Sequence, residues 1–188
     1  MLDTEAINAG EIILSGGIIL YPTDTIWGIG CDATNPVSVN RIYRIKQRSD
    51  NKSMLVLVNG PAMLEHYLDH LPPLATEILR EARNPTTIIY PGARNLADNL
   101  VSQDGSIGIR ITSDQFCRRL IEITGKPIVS TSANISGEKP PLAFHKIKTT
   151  VRNQVDYIVD WRQDEATYSA PSVIIKLEAD GTYTTLRS

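Results

Sequence analysis

The segment from Gly16 to Gly30 reads GGIILYPTDTIWGIG, and it carries the pattern from which the fold class is inferred. Two glycines end a helical pattern, and the apolar run Ile18–Tyr21 that follows has the length of a buried strand. The polar loop after it carries two threonine hydroxyls, an aspartate carboxylate and two glycines. Loop residues at the end of a rigid strand often bind ligands in α/β proteins, although Thr and Asp can equally bond to their own backbone in an ordinary turn.

Apolar runs of strand length alternate with longer helical patterns along the rest of the chain. This alternation predicts an α/β fold, a twisted open mixed sheet with helices packed on it. The segment between Ile88 and Ile107 lacks a helical pattern, which predicts that some strands pair antiparallel. The predicted strands are Ile18–Tyr21, Met54–Val58, Thr87–Tyr90, Ile107–Ile111, Pro127–Ser130, Tyr157–Val159 and Val173–Leu177. The predicted helices are Asp3–Ser15, Pro36–Lys46, Pro61–His70, Leu74–Arg83, Asp114–Thr124 and Ala143–Val151.

The composition is that of a globular chain. Of its 188 residues 41% are hydrophobic and 21% are charged, so a single domain over 1–188 can bury a sizeable core. The formal net charge of -2 argues against a surface devoted to nucleic acid but permits a local basic patch. The two cysteines lack the spacing of a zinc site or a disulfide framework, so we expect no metal site. Because no signal peptide or membrane-spanning run is found, we expect a cytoplasmic protein.

A basic segment, Arg41–Lys52, holds five cationic residues and one acid. With helical periodicity Arg41, Arg44 and Arg48 fall on one stripe, which suits the phosphate of a nucleotide or of RNA. A solvated helix face is the alternative interpretation. On a continuous helix Lys46 points away from Arg48, so if both serve one ligand the helix should end near Lys46.

Two further segments place polar groups on or beside predicted strands. Val129–Gly137 reads VSTSANISG, and its hydroxyls and amide suit a base edge, a ribose or phosphate oxygens, with a plain polar turn as the alternative. A serine nucleophile there lacks the expected G-x-S-x-G elbow. Arg110 lies on an otherwise apolar run, where a cation either pairs with a buried acid or meets an anionic ligand.

Together these segments resemble the YrdC/TsaC family of threonylcarbamoyl-AMP synthases in its short, single-domain form. Five matching pieces follow one another in order and cover most of the chain, from about Asp3 to Arg187. They are PTDTIWG at Pro22–Gly28, KQR at Lys46–Arg48, GIR at Gly108–Arg110, STSAN with SG at Ser130–Gly137, and PSVII at Pro171–Ile175. The resemblance implies a YrdC-like fold of the double-stranded-RNA-binding type, with a large, concave, basic cavity.

The resemblance also implies an activity. Enzymes of this family join L-threonine, bicarbonate and ATP into threonylcarbamoyl-AMP and release pyrophosphate, with Mg²⁺ carried on the ATP. Downstream transfer proteins then move the threonylcarbamoyl group to the adenosine next to the anticodon in tRNA. Some members bind tRNA or double-stranded RNA directly. A membrane is not expected as a partner.

Site residues follow from the resemblance, position by position. It implies catalytic roles for Lys46, Arg48 and Arg110. It implies that threonine or its carbamate is bound by Thr23, Arg110 and Ser130. It implies that ATP is bound by Arg48, Lys52, Ser132, Asn134 and Ser172.

The chain departs from the family pattern in several places. Asp24 stands where Glu is frequent, and Trp27 where Tyr or Phe is usual. The proline- and glycine-rich stretch of the family is reduced to Asn84–Ile89, which alters one wall of the cavity and leaves Thr87 without a firm match. Leu57 replaces a frequent His, and Pro140 replaces a nucleotide-contacting Ser. The competing hypothesis is an RNA-binding, translation-associated module that uses the same basic cavity without catalysis.

Overall fold

A computed structural model describes residues 1–48, 54–165, 171–178 and 180–188. Within these ranges one mixed sheet has the strand order β7-β1-β2-β6-β3-β5-β4-β8-β9. The strands are β1 Ile19–Tyr21, β2 Gly28–Gly30, β3 Leu55–Val58, β4 Thr86–Tyr90, β5 Ile107–Ile111, β6 Ile128–Ser132, β7 Tyr157–Ile158, β8 Val173–Leu177 and β9 Tyr183–Arg187. The helices are α1 Leu2–Leu14, α2 Pro36–Ile45, α3 Pro61–His66, α4 Pro73–Glu81, α5 Gln115–Thr124 and α6 Thr149–Arg152.

The sheet mixes parallel and antiparallel pairs, as the sequence predicts. β1 pairs parallel to β7, β3 to β5 and β4 to β8, while the other neighbouring strands are antiparallel. The antiparallel pairing of β4 with β5 confirms the expectation for the segment between Ile88 and Ile107. The central strands β3 and β5 are almost entirely buried, because helices cover the sheet.

Apolar side chains pack on both faces of the sheet. On one face α1 and α5 pack against each other and onto residues such as Ile19 and Leu57. On the other face α2 and α3 pack onto Val56 and Ile109. Among the described residues, none of the helices is long and apolar enough to cross a bilayer.

Two strands were not predicted, for different reasons. β2 consists of Gly28, Ile29 and Gly30. From the sequence we expect these residues to belong to a turn, but they pair antiparallel with β1 and form a hairpin. A Cβ on Gly30 would lie 2.7 Å from the Val129 carbonyl oxygen, so glycine is needed for the close approach of β6. β9 is exposed at every position, and it therefore lacks the apolar pattern by which a strand is recognised.

Two predicted helices are shorter than expected. α3 ends at His66 rather than His70, because the Asp69 N–H bonds to the Gly92 carbonyl at 2.8 Å and Leu68 forms a bridge with Ala93. The predicted helix Ala143–Val151 is wrong as one element. A 3₁₀ turn at Phe144–Lys146 and the short α6 replace it, since Ile147 and Lys148 between them are extended.

Candidate functional site

A cavity of about 280 Å³ opens over strands from β2 to β9. Its floor is formed by residues of the sheet, and its rim by the loop after β1, the segment after α2 and the segment before β8. The described residues that line it are Thr25, Ile26, Trp27, Gly28, Arg48, Met54, Leu55, Thr87, Ile89, Gly108, Arg110, Ser130, Thr131, Ser132, Pro140, Pro171, Ser172, Ile174 and Arg187.

Three guanidinium groups face this cavity, those of Arg48, Arg110 and Arg187, and none of its described lining residues is acidic. Burial lowers the pKa of Arg48. Burial also lowers the pKa of Arg187, and the positive charge of Arg110 adds to that effect. Cations that are partly dehydrated and repel one another are stabilised when an anion binds between them. The cavity is therefore suited to a ligand with more than one negative group.

The sequence left two interpretations of Arg110 open, a pair with a buried acid or a contact with an anionic ligand. It lies on β5 with its side chain only 2% exposed, and its Nη2 forms an ion pair with Asp24 Oδ1 at 2.9 Å. Burial raises the pKa of the Asp24 carboxyl, and the nearby Arg110 charge opposes that rise. Arg110 thus both pairs with a largely buried acid and faces the cavity.

Hydrogen bonds of the Thr23 hydroxyl hold the loop between β1 and β2. The Thr23 Oγ1 accepts the Thr25 backbone N–H at 3.1 Å and donates to the Ile26 carbonyl at 2.8 Å. The two threonine hydroxyls lie 3.0 Å apart. Thr23 is not among the residues lining the cavity, whereas Thr25 is, so the backbone-bonding interpretation holds for Thr23 and the ligand-facing position belongs to Thr25.

The end of α2 brings Arg48 to the cavity. The helix stops at Ile45 and Lys46 caps it, which confirms the expected end near Lys46. The next residue, Gln47, takes a left-handed conformation with φ 49, and the chain turns there. The predicted stripe of three arginines is wrong, because this turn takes Arg48 off the helix and Arg41 forms an ion pair with Asp156 at 2.9 Å.

Lys46 is buried beside the cavity rather than exposed in it. Its Nζ donates to the carbonyl oxygens of Ser132 and Asn134 at 2.5 and 2.8 Å. Burial, with a smaller effect from the Arg48 charge, lowers the pKa of Lys46 to about 8. The side chain therefore joins the end of α2 to the loop that follows β6.

That loop places its predicted residues differently. Ser130 and Ser132 line the cavity. The Asn134 amide points into its own loop, where Nδ2 donates to the carbonyls of Ile135 and Glu138 at 2.9 and 2.8 Å. Asn134 also borders a neighbouring hollow of about 390 Å³, which meets the cavity at Pro140.

Ser172 links three elements at the opposite wall. Its hydroxyl lies 2.9 Å from the Thr87 hydroxyl of β4. Arg187 of β9 donates from Nε to the Ser172 carbonyl at 2.8 Å and from Nη2 to its hydroxyl at 3.2 Å. Sequence reasoning missed Arg187, because only the pairing of an exposed strand with β8 brings it to the site.

The structure thus brings most of the predicted site residues together. Those that line the cavity are Arg48, Arg110, Ser130, Ser132 and Ser172. Thr23, Lys46 and Asn134 instead support the loops around it. Lys52 lies outside the described residues, so its predicted ATP contact stays a prediction.

The fold and the cavity define a class of protein, an α/β protein with a cavity lined by arginines and hydroxyl groups. The chain belongs to the Sua5/YciO/YrdC family, whose model, described as telomere recombination, matches residues 11–188. A threonylcarbamoyl-AMP synthase of Pseudoalteromonas translucida is 35% identical over 164 residues, which are 85% of this chain and 88% of that protein.

Solved structures show the same fold. YciO of E. coli is 26% identical with a TM-score of 0.86, covering 99% of this chain and 89% of the other. Sua5 of P. abyssi, solved in complex with L-threonine, is 22% identical with a TM-score of 0.86. That alignment covers 98% of this chain but 54% of the Sua5 chain, so this chain spans about half the length of that protein.

Proposed function

We propose that this chain is a threonylcarbamoyl-AMP synthase, a nucleotidyltransferase that acts on L-threonine, bicarbonate and ATP. This reaction would be the first step of threonylcarbamoyladenosine formation next to the tRNA anticodon. The observation that carries the proposal is the convergence of Arg48, Arg110 and Arg187 with serine and threonine hydroxyls in one cavity. The synthase name of a relative that matches most of the chain supports it.

The chemistry requires positioned charge more than a strong base. The threonine amine and bicarbonate form a carbamate with loss of water, and a carbamate oxygen then attacks the α-phosphate of ATP. The bond between the α- and β-phosphates breaks, and pyrophosphate leaves. Fixed cations accelerate such a step by aligning two anions and by neutralising the charge that builds on the leaving group.

The cavity offers two groups of contacts for these substrates. In this proposal Arg110 and Ser130 on the sheet floor bind threonine or its carbamate, with Thr23 acting through the loop that holds Thr25. The L-threonine complex of Sua5 agrees with an amino-acid site in this fold.

ATP takes the other side of the cavity in this proposal. Arg48, Ser132 and Ser172 contact it, and Arg187 adds a cation from β9. Lys46 and Asn134 keep the loop after β6 in place. The Mg²⁺ arrives as part of the nucleotide substrate with mostly water ligands.

Further roles belong to the same proposal. The product would pass to downstream transfer proteins that modify tRNA in the cytoplasm, and tRNA or double-stranded RNA is a proposed partner. Phosphate binding by the cavity arginines would make such RNA affinity fall steeply with salt.

The test is pyrophosphate release from MgATP, with and without L-threonine and bicarbonate. We expect release that needs both. Arg48→Ala and Arg110→Ala should each lower the rate about tenfold or more, because each removes a cation that faces the anions. Arg44→Ala is the matched control, since Arg44 is exposed on α2 outside the cavity. RNA binding without turnover would favour the RNA-binding module, and absence of ATP binding would contradict the assignment of the cavity.

A further inference from the structure

Asp24 contacts Arg110 on the cavity floor but does not itself line the cavity. It sits in the loop after β1, and its side chain, 12% exposed, places Oδ1 2.9 Å from Nη2 of the buried Arg110. Asp24 also borders a second hollow of about 580 Å³, with Thr86 and Ile111 on its wall. The Asp24–Arg110 pair thus separates that hollow from the substrate cavity.

The rest of the Arg110 guanidinium is weakly engaged. Its Nη1 lies 3.4 Å from the Thr25 hydroxyl, and its buried Nε has no hydrogen-bond partner among the described residues. A buried guanidinium with unused N–H groups is stabilised when an anion supplies the missing acceptors.

We propose that Asp24 is a positioning residue: its ion pair holds the Arg110 guanidinium at Nη2 and leaves the other N–H groups for the anionic carbamate of the amino-acid substrate. The proposal rests on the proposed function. Asp24 does not line the substrate cavity, so it acts through Arg110 rather than on the substrate.

Two effects of Asp24 oppose each other, which makes the proposal testable. The carboxylate fixes the guanidinium, and this favours productive binding. The same carboxylate cancels positive charge near the anion, and this weakens binding. An isosteric neutral residue removes both effects, so the direction of the change tells which one dominates.

The experiment compares Asp24→Asn with Asp24→Glu. We expect Asp24→Asn to lower kcat/KM for L-threonine about tenfold, while KM for ATP stays within about threefold of the wild type. Asp24→Glu should restore kcat/KM to within about threefold. The second hollow gives the longer side chain room to keep a carboxylate on Arg110. An unchanged or raised value in Asp24→Asn, or a failure of Asp24→Glu to restore it, overturns the proposal.

Asp32→Asn is the matched control. The Asp32 side chain is 13% exposed, close to the value for Asp24, but its carboxylate accepts hydrogen bonds from Thr34 and lies 3.8 Å from Lys126 instead of reaching the cavity. We expect its kcat/KM for L-threonine to match the wild type. An equal loss in both variants means that any buried-Asp replacement damages the fold, and this overturns a specific role for Asp24.

A binding measurement separates this proposal from the proposed function. Trp27 lines the cavity, so its fluorescence should report titration with acetate, whose carboxylate has the two oxygens of a carbamate. Positioning predicts about threefold weaker binding or more in Asp24→Asn, and a pure charge effect predicts tighter binding, whether or not the wild type turns over threonine. If Asp24→Asn does not fold, the decision passes to Asp24→Glu, in which weaker acetate binding than in the wild type overturns the proposal.

Discussion

Replacing Lys46 with methionine tests how the loop after β6 is held. Met keeps most of the aliphatic length of the side chain but removes the Nζ that donates to the carbonyls of Ser132 and Asn134. Those carbonyls would lose their donor in a buried place. We therefore expect a less stable protein whose Ser132 is no longer fixed at the cavity.

The expected size follows from two opposing contributions. A hydrogen bond from a charged group contributes about 1.5–3 kcal/mol, so the pair contributes about 3–6 kcal/mol. Burial opposes this, since the fall in the pKa of Lys46 from 10.5 to about 8 corresponds to about 3 kcal/mol. The difference is about 0–3 kcal/mol of unfolding free energy, and its midpoint of about 1.5 kcal/mol lowers Tm by about 3–6 °C in a chain of this size.

The pH dependence checks the same argument independently. In the unfolded chain Lys46 titrates near 10.5, and in the folded protein near 8. Between these values the unfolded chain binds more protons, so the Lys46 contribution to stability rises with pH, while below the lower value it stays constant. The stability difference between wild type and Lys46→Met should therefore grow from pH 8 to 10.5 by up to about 3 kcal/mol.

Urea unfolding of both proteins across this range measures the difference. Lys126→Met serves as a control for the loss of a lysine charge, because the Lys126 side chain is exposed and lies beside Asp32 instead of at the loop after β6. In activity, Lys46→Met should lower kcat/KM for ATP about tenfold through the displaced loop. A stability difference that shrinks as pH rises would refute the reasoning, since it would mean that the two carbonyls favour the charged ammonium more than burial disfavours it.

Two further predictions concern the cavity walls. Gly30→Ala should destabilise the protein by about 2 kcal/mol, because the new Cβ would lie 2.7 Å from a backbone oxygen. The new Cβ in Gly28→Ala would lie 3.3 Å from its nearest atom, so the unfolding free energy of this variant should stay within about 1 kcal/mol of the wild type. Thermal unfolding of both variants measures the two differences. Arg187→Met should raise KM for ATP about fivefold or more, and an unchanged KM, equal to that of the exposed Arg44→Met control, would remove Arg187 from the site.

The sequence predicted best those helices and strands that are marked by residues next to one another in the chain. The apolar runs identified the central strands, and Asn35 followed by Pro36 placed the start of α2, where the Asn35 side chain accepts the N–H groups of Val37 and Ser38. The sequence did not predict β2, which is built mainly of glycines, or β9, which is exposed. Their pairing depends on neighbouring strands that lie far away in the chain.

The candidate site shows the same limit. The motifs identified Arg48, Arg110 and three serines that the fold brings into one cavity. They did not distinguish residues that face the cavity from those that support it, such as Lys46. That distinction depends on where a helix stops and which carbonyls a side chain can reach. The partner of Arg110 likewise became clear only when the loop after β1 was placed over β5.

The residues that line the cavity range from Thr25, near the beginning of the chain, to Arg187, near its end, and they come from seven strands and the loops between them. Contacts between such distant parts form late in folding, because the entropy of closing long loops must be overcome first. A nucleotide can then bind only after nearly all of the sheet has formed, so it stabilises the native state more than the folding transition state. We therefore expect ATP to slow unfolding while leaving the refolding rate unchanged, which makes the substrate a kinetic protector of its own enzyme.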